Sequence, residues 1–216
     1  MRSTVGPLAV VPSVKVHSKR VTRPEALHDF VYSGENAVLD GTKSWSASGR
    51  VTRYEWTFTD GTTATGATVE RAYPQSGEYS EILKITDARG EIDYDFAVVL
   101  VIDKSAPDQL PPTIHPAYSP TLNVHAGDPV TFKVRSFRTT FGNETWDFGD
   151  GSDKVTVKSD GNVEQHAKDG YAVTQHRFAK PGHYLVRVER TNERGQRAIS
   201  HLHVPVEVGA AGANKP

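Results

Sequence analysis

The 216-residue chain sets 25 Lys and Arg against 26 Asp and Glu, a formal net charge of −1, so no global field draws it to nucleic acid or to an anionic membrane surface. It has no cysteine, which excludes disulfides, thiolate metal sites and thiol nucleophiles together. Its 37% hydrophobic content suffices for packed cores, its length fits two domains of about 100 residues, and no apolar run approaches the roughly 20 residues of a membrane span.

Residues 1–24 read as a lead-in segment or as the first strand of the domain that follows. Leu8 to Pro12 is too short for the apolar part of an export signal. Lys15, Lys19, Arg20 and Arg23 have no aromatic interleaving, the pattern of a solvated stretch rather than a nucleic-acid contact. With the Gly/Ala tail from Gly209 to Ala213, this start is expected of a segment excised from a longer protein.

The first domain is expected over 25–103. Trp56 and Phe58 are two apart, so both face one side of a strand, and Asp60-Gly61 supplies the turn chemistry of a tight hairpin. Tyr73, Gly77 and Tyr79 open a further strand, and Asp87 to Gly90 form a turn before a last strand from Tyr94 to Ile102. Residues 104–112, with Pro107, Pro111 and Pro112, read as a semi-rigid linker.

The second domain, 113–208, repeats the first. Trp146-Asp147-Phe148-Gly149-Asp150-Gly151 restates residues 56–61 at an offset of 90, and Phe178, Gly182, Tyr184, Asn192 and Gly195 restate Tyr73, Gly77, Tyr79, Asp87 and Gly90 at 105. Copy two therefore carries about 15 additional residues, an insertion near 154–175 whose Asp160-Gly161-Asn162 and Lys168 to Tyr171 turn signals predict a small extra hairpin or a folded-over loop. Tyr184, Val186 and Val188 alternate with Leu185, Arg187 and Glu189, and the final strand runs from Arg197 to Val208, with residues 209–216 a flexible tail. No helical period is sustained, so the predicted fold is all-β, two consecutive antiparallel sandwiches.

These residues resemble the PKD family, named for its repeats in polycystin and found in bacterial exported enzymes. The family pattern appears here as Gly34, Val38-Leu39-Asp40-Gly41, Tyr54, Trp56, Phe58, Asp60-Gly61, Tyr73, Gly77, Tyr79, Thr86-Asp87 and Gly90. The second copy offers Gly127, Trp146, Phe148 to Gly151, Phe178, Pro181-Gly182 and Tyr184. The resemblance implies immunoglobulin-like β-sandwiches and an extracellular or cell-surface location within a larger bacterial protein. For function it spans spacers, adhesion modules and accessory domains of proteases and polysaccharide-degrading enzymes. Many bacterial members hold acidic residues in the loop where this chain has Ser44-Trp45-Ser46-Ala47-Ser48-Gly49; serines are poor ligands for a hard dication, so no calcium is expected there.

Catalysis has no motif to rest on: there is no Gly-x-Ser-x-Gly elbow, no His-Glu-x-x-His and no phosphate-cradling loop, and neither cofactor nor metal is expected. His201 and His203 share a strand face and His166, His176 and His183 fall near the insertion, which allows a zinc or nickel site or, more plainly, solvent-facing histidines opposite Leu202 and Val204. Asp147, Asp150 and Asp153 are calcium ligands or solvated turn carboxylates. Glu81 and Arg190 break the apolar alternation, either because a strand end or bulge gives them water or a partner, or because they line an edge groove. Trp45, in a Ser-rich loop, is a candidate for stacking on a sugar, for contact with a neighbouring domain, or for local packing; Tyr118, Phe137, Phe141 and Tyr171 are candidates of the same kind. Three functions follow: an accessory module that spaces and grips polysaccharide, a structural stalk or protein-interaction module, and, least supported, a small hydrolase. The partners expected are a polysaccharide and the parent's neighbouring domains, with no nucleic acid and no membrane insertion.

Overall fold

The computed structural model describes residues 10–11, 15–18, 30–47, 50–159 and 170–208, and the regular elements among them are all strands. The chain divides after Gln109 into two compact units.

Unit one contains β1 (Val10–Val11), β2 (Lys15–Ser18), β3 (Phe30–Tyr32), β4 (Asn36–Asp40), β5 (Trp45–Ser46), β6 (Val51–Thr57), β7 (Thr63–Thr65), β8 (Thr68–Ala72), β9 (Gly77–Asp87) and β10 (Ile92–Ile102). One sheet joins β7, β6, β9, β10 and β3, antiparallel except where β3 runs parallel to β10; the facing sheet is β2-β4-β8. Successive strand side chains point to opposite faces, so alternate residues of β9 and β10 (Leu83, Ile85, Val99, Val101) meet Leu39, Trp56, Phe58 and Tyr73 between the sheets, all buried. Lys15–Ser18 pairs with Ala37–Asp40, where an open sheet edge satisfies its backbone. Trp45 and Ser46, expected in a loop, pair with Val11 and Val10.

Unit two contains β11 (Thr113–Ser119), β12 (Val130–Phe137), β13 (Glu144–Asp147), β14 (Val155–Val157), β15 (Ala172–His176), β16 (Gly182–Thr191) and β17 (Arg197–Val206). Here β14-β13-β16-β17 faces β11-β12-β15. Phe132 lies at the centre of the core, its ring 5.3 Å from Trp146 and 5.1 Å from Phe148.

The repeated residues do repeated work. Trp56 and Trp146 are both fully buried. Gly61 and Gly151 take φ of +84° and +82° at the hairpin tips, a region glycine enters without Cβ strain. The Asp87 carboxylate accepts the amides of Arg89 and Glu91, and the Asn192 side-chain oxygen accepts those of Arg194 and Gln196, closing equivalent turns. Tyr79 and Tyr184 each donate a hydroxyl hydrogen to a carbonyl four residues back, Gln75 at 2.9 Å and Lys180 at 2.8 Å, which ties strand entry to the preceding corner.

The copies differ most between their second hairpins. In unit one only Gly66 and Ala67 separate β7 from β8, whereas residues 158–171 separate β14 from β15. The extra hairpin expected around Asp160 to Asn162, and Lys168 and Asp169 of the turn at Lys168 to Tyr171, fall outside the described residues.

Candidate functional site

The charged groups that stand out in the sequence are engaged internally. At the first hairpin tip Asp60 Oδ1 accepts the Thr62 amide (3.0 Å) and hydroxyl (2.6 Å), while Arg71 Nη2 lies 2.7 Å from Oδ2 with its guanidinium 4.2 Å above the Phe58 ring. These hydrogen bonds, from Thr62 and then Arg71, hold the carboxyl well below the usual carboxylate range. The second tip reproduces the device: Asp150 accepts the amide and hydroxyl of Ser152, and His176 takes the place of Arg71, Nε2 at 2.6 Å and ring stacked 3.9 Å from Phe148. Burial opposes ionisation of Asp150, but the Ser152 and His176 hydrogen bonds outweigh it and its carboxyl is held low.

Ser152, Asp150 and His176 share the composition of a hydrolytic triad but not its wiring. Nucleophile activation needs the imidazole between serine and carboxylate. Here the carboxylate is in the middle, accepting from the Ser152 hydroxyl on one oxygen and paired with His176 on the other.

Glu81 lies in the middle of β9 and Arg190 one residue from the end of β16, and each finds an internal partner. Glu81 is buried, accepting the Thr59 amide at 2.7 Å with Arg71 Nε at 3.7 Å. Burial dominates those contacts and raises its carboxyl above the ordinary value of 4.5. A raised folded value makes its contribution to stability full below about pH 4.5 and declining as pH climbs through the folded value. Relative to Glu81→Gln, the native chain should therefore lose unfolding midpoint from about pH 4.5 toward neutrality; parallel midpoint profiles for the two proteins would refute the assignment. In copy two the equivalents of Tyr73 and Glu81 are Phe178 and Val186, an apolar pair, and the buried charges move to another layer: Arg190 Nη1 lies 2.8 Å from Glu144 Oε1, both fully buried.

Among the described residues no three His, Asp or Glu side chains converge as a cation would require. His201 is buried, not solvent-facing as expected, because β17 sinks both faces at this point. His183 Nδ1 approaches His203 Nε2 at 2.7 Å. His166 lies outside the described residues.

Of the aromatic candidates, Trp45 is 53% exposed on β5 of unit one. Its neighbour Ser46 is buried, its hydroxyl donating to Asp87 Oδ2 at 2.8 Å, so Ser46 closes the core and leaves the indole outward. In unit two Phe137 and Tyr171 come together on the outer side of β11-β12-β15: the Arg135 guanidinium is 5.2 Å from the first ring and 5.3 Å from the second. Phe141 is exposed in the β12–β13 connection, which Arg190 Nε holds by its carbonyl at 2.9 Å. Tyr118 points the other way, stacked 6.0 Å from Phe132 with its hydroxyl donating to the His203 carbonyl. The sequence reading missed His115, Lys133, Arg135 and Val173, which share the outer face with Phe137 and Tyr171; the period-2 alternation of β12 and β15 was the signal that groups them.

Comparison with known proteins agrees with this architecture. The chain is 33% identical over 69 residues to Collagenase ColA of Clostridium perfringens, covering 32% of this chain and 6% of that protein. It is 44% identical over 52 residues to Collagenase ColA of Bacillus cereus, covering 24% of this chain and 5% of that protein. The chain thus spans a small fraction of the curated relatives it matches. Among solved structures, the PKD1 domain of the Vibrio cholerae metalloprotease PrtV aligns at 26% identity and a TM-score of 0.34, over 44% of this chain and 99% of that one. Family models described as PKD domain match residues 22–101 and again residues 116–206, and the chain belongs to the PKD domain family as a tandem pair.

Proposed function

We propose that this chain is a non-catalytic accessory segment of a larger protein exported by a bacterium, spacing neighbouring domains and gripping an insoluble polysaccharide through exposed aromatic rings. In this reading residues 25–103 and 113–208 are the working modules and 104–112 the connector. The observation that carries it is the division of labour among side chains: the conspicuous carboxylates and cations close turns and cores, while Trp45, Phe141 and Tyr171 remain exposed. An exposed indole or phenol covers the C–H face of a sugar with little rotamer entropy to lose. The small share that the chain covers of its collagenase relatives fits an appended module.

Each stacking ring buries little area, so single contacts are weak and retention builds on polymers that engage several at once. On a panel of insoluble polysaccharides, with fibrillar collagen beside them, the native chain should be retained on at least one glycan. Trp45→Ala and Tyr171→Ala should each reduce the retained fraction by about two- to tenfold. No retention on any glycan, or retention indifferent to both substitutions, would leave the stalk as the better account; retention on collagen alone would replace the glycan as the polymer gripped.

A further inference from the structure

The outer faces of the two three-stranded sheets match by register and differ in chemistry. On β4 and β8, Asp40 sits opposite Thr68 and Val38 opposite Glu70. At the corresponding places on β12 and β15, Lys133 sits opposite Val173 and Thr131 opposite Gln175. Both carboxylates of the first face thus correspond to a cation and an amide on the second, and a threonine corresponds to a valine that is 54% exposed. No described residue facing outward on β11, β12 or β15 is acidic.

The same face carries the aromatic pair, and a buried arginine lies against it. Arg135 is buried with its guanidinium between the Phe137 and Tyr171 rings, and Gly170 makes room for it: a Cβ there would stand 2.6 Å from the Arg135 Cζ. His115 meets the Phe137 ring at 5.0 Å, edge to face. Burial, and then the charge of Arg138, lowers the His115 imidazole's affinity for a proton, so at neutral pH it extends the platform as an uncharged ring. Beside this platform Lys133 presents an exposed ammonium, and the Gln175 amide donates to the Thr131 hydroxyl at 3.3 Å, a polar rim of hydroxyl size.

We propose that the outer face of β11-β12-β15 binds an acidic polysaccharide, with Tyr171 and Phe137 against the sugar face, Lys133 on the carboxylate or sulfate, and Gln175 and Thr131 on the hydroxyls. The inference rests on the glycan reading above and adds the charge of the glycan and the unit that reads it. Rings supply area, while the ammonium, on a face whose described residues carry no carboxylate, discriminates for the anion and makes the contact salt-sensitive. A neutral glycan would satisfy the rings but leave the cation without a counterpart.

The full chain should be passed over immobilised polygalacturonate and heparin, which separate uronate from sulfate, and over insoluble cellulose and xylan. Retention is expected on polygalacturonate, heparin or both, and should fall as salt is raised. Lys133→Asp, which installs the residue of the matching position in unit one, should reduce it by about fivefold, the scale of one exposed ion pair. Lys133→Arg should hold it near the native level, and unchanged melting of both variants secures the comparison. Stronger retention on the neutral glycans, or Lys133→Asp retained like the native chain, would overturn the acidic assignment while leaving polysaccharide gripping in place. Retention on no glycan at all would overturn both.

Discussion

Trp146→Ala is expected to destabilise unit two by about 3–5 kcal/mol, and Trp56→Ala unit one by a similar amount. Each indole is fully buried at the centre of its sandwich. Trp146 touches Phe132 and lies parallel to Phe148 at 6.2 Å, so its removal opens a void bounded by rigid rings that cannot collapse into it. The gentler change to phenylalanine separates the two sites. Trp56 Nε1 donates to the Gly66 carbonyl at 2.9 Å, linking β6 to the β7–β8 turn, whereas Trp146 Nε1 finds no acceptor among the described residues. Trp56→Phe loses a buried hydrogen bond and leaves a carbonyl unpaired, about 1 kcal/mol beyond the packing change, while Trp146→Phe removes a donor already unsatisfied. Denaturant unfolding of the full chain, with hydrogen exchange to locate the loss, measures both. A Trp146→Ala protein as stable as the native one would remove Trp146 from the core, and a larger penalty for Trp146→Phe than for Trp56→Phe would show that its indole nitrogen has a partner.

Breaking the buried pair of unit two should be equally damaging. Glu144 accepts the Ser136 hydroxyl (2.8 Å), the Ser159 amide (2.9 Å) and hydroxyl, and Arg190 Nη1 (2.8 Å). Burial penalises this carboxylate, yet the Ser159 and Ser136 hydrogen bonds and the Arg190 charge outweigh it and hold the group ionised below its ordinary range. Glu144→Ala or Arg190→Ala leaves the other charge buried without its counterpart, a loss of about 3–5 kcal/mol. Unit one shows what the site tolerates, since the equivalent positions are Tyr54 and Ile85, packed in or against its core. The double change Glu144→Tyr with Arg190→Ile should therefore recover most of what either alanine loses, with a strong coupling in the double-mutant cycle. Additive losses would mean that the two charges do not depend on each other. Ser159 closes one foot of the insertion on Ser136 and Gly170 closes the other on Arg135, the adjacent residue of β12, so both feet stand on one strand. The single variants should on that account also loosen the support of the Tyr171 platform.

How each layer of this protein became legible follows from the range of the interactions involved. Strand periodicity, Asp-Gly and Asp-x-x-Gly turns and the 90- and 105-residue offsets are local or repeated signals, and they alone determined an all-β tandem of one module with an insertion in the second copy. The buried tryptophans were legible for the same reason, since a Trp-x-Phe spacing puts two large apolar groups on one face. Tertiary structure decided what depends on partners distant in sequence. Glu81 and Arg190 looked like flaws in alternation because Thr59, Arg71, Glu144 and Ser159, which make their burial tolerable, lie on other strands or in the connections that follow them. Tyr118 and Tyr171 are alike as isolated residues; one turns inward to stack on Phe132 and the other outward onto Arg135, because strand register fixes which face each occupies. Register likewise sets Lys133 against Val173 and Asp40 against Thr68, so the contrast between the two outer faces exists only once the strands are paired.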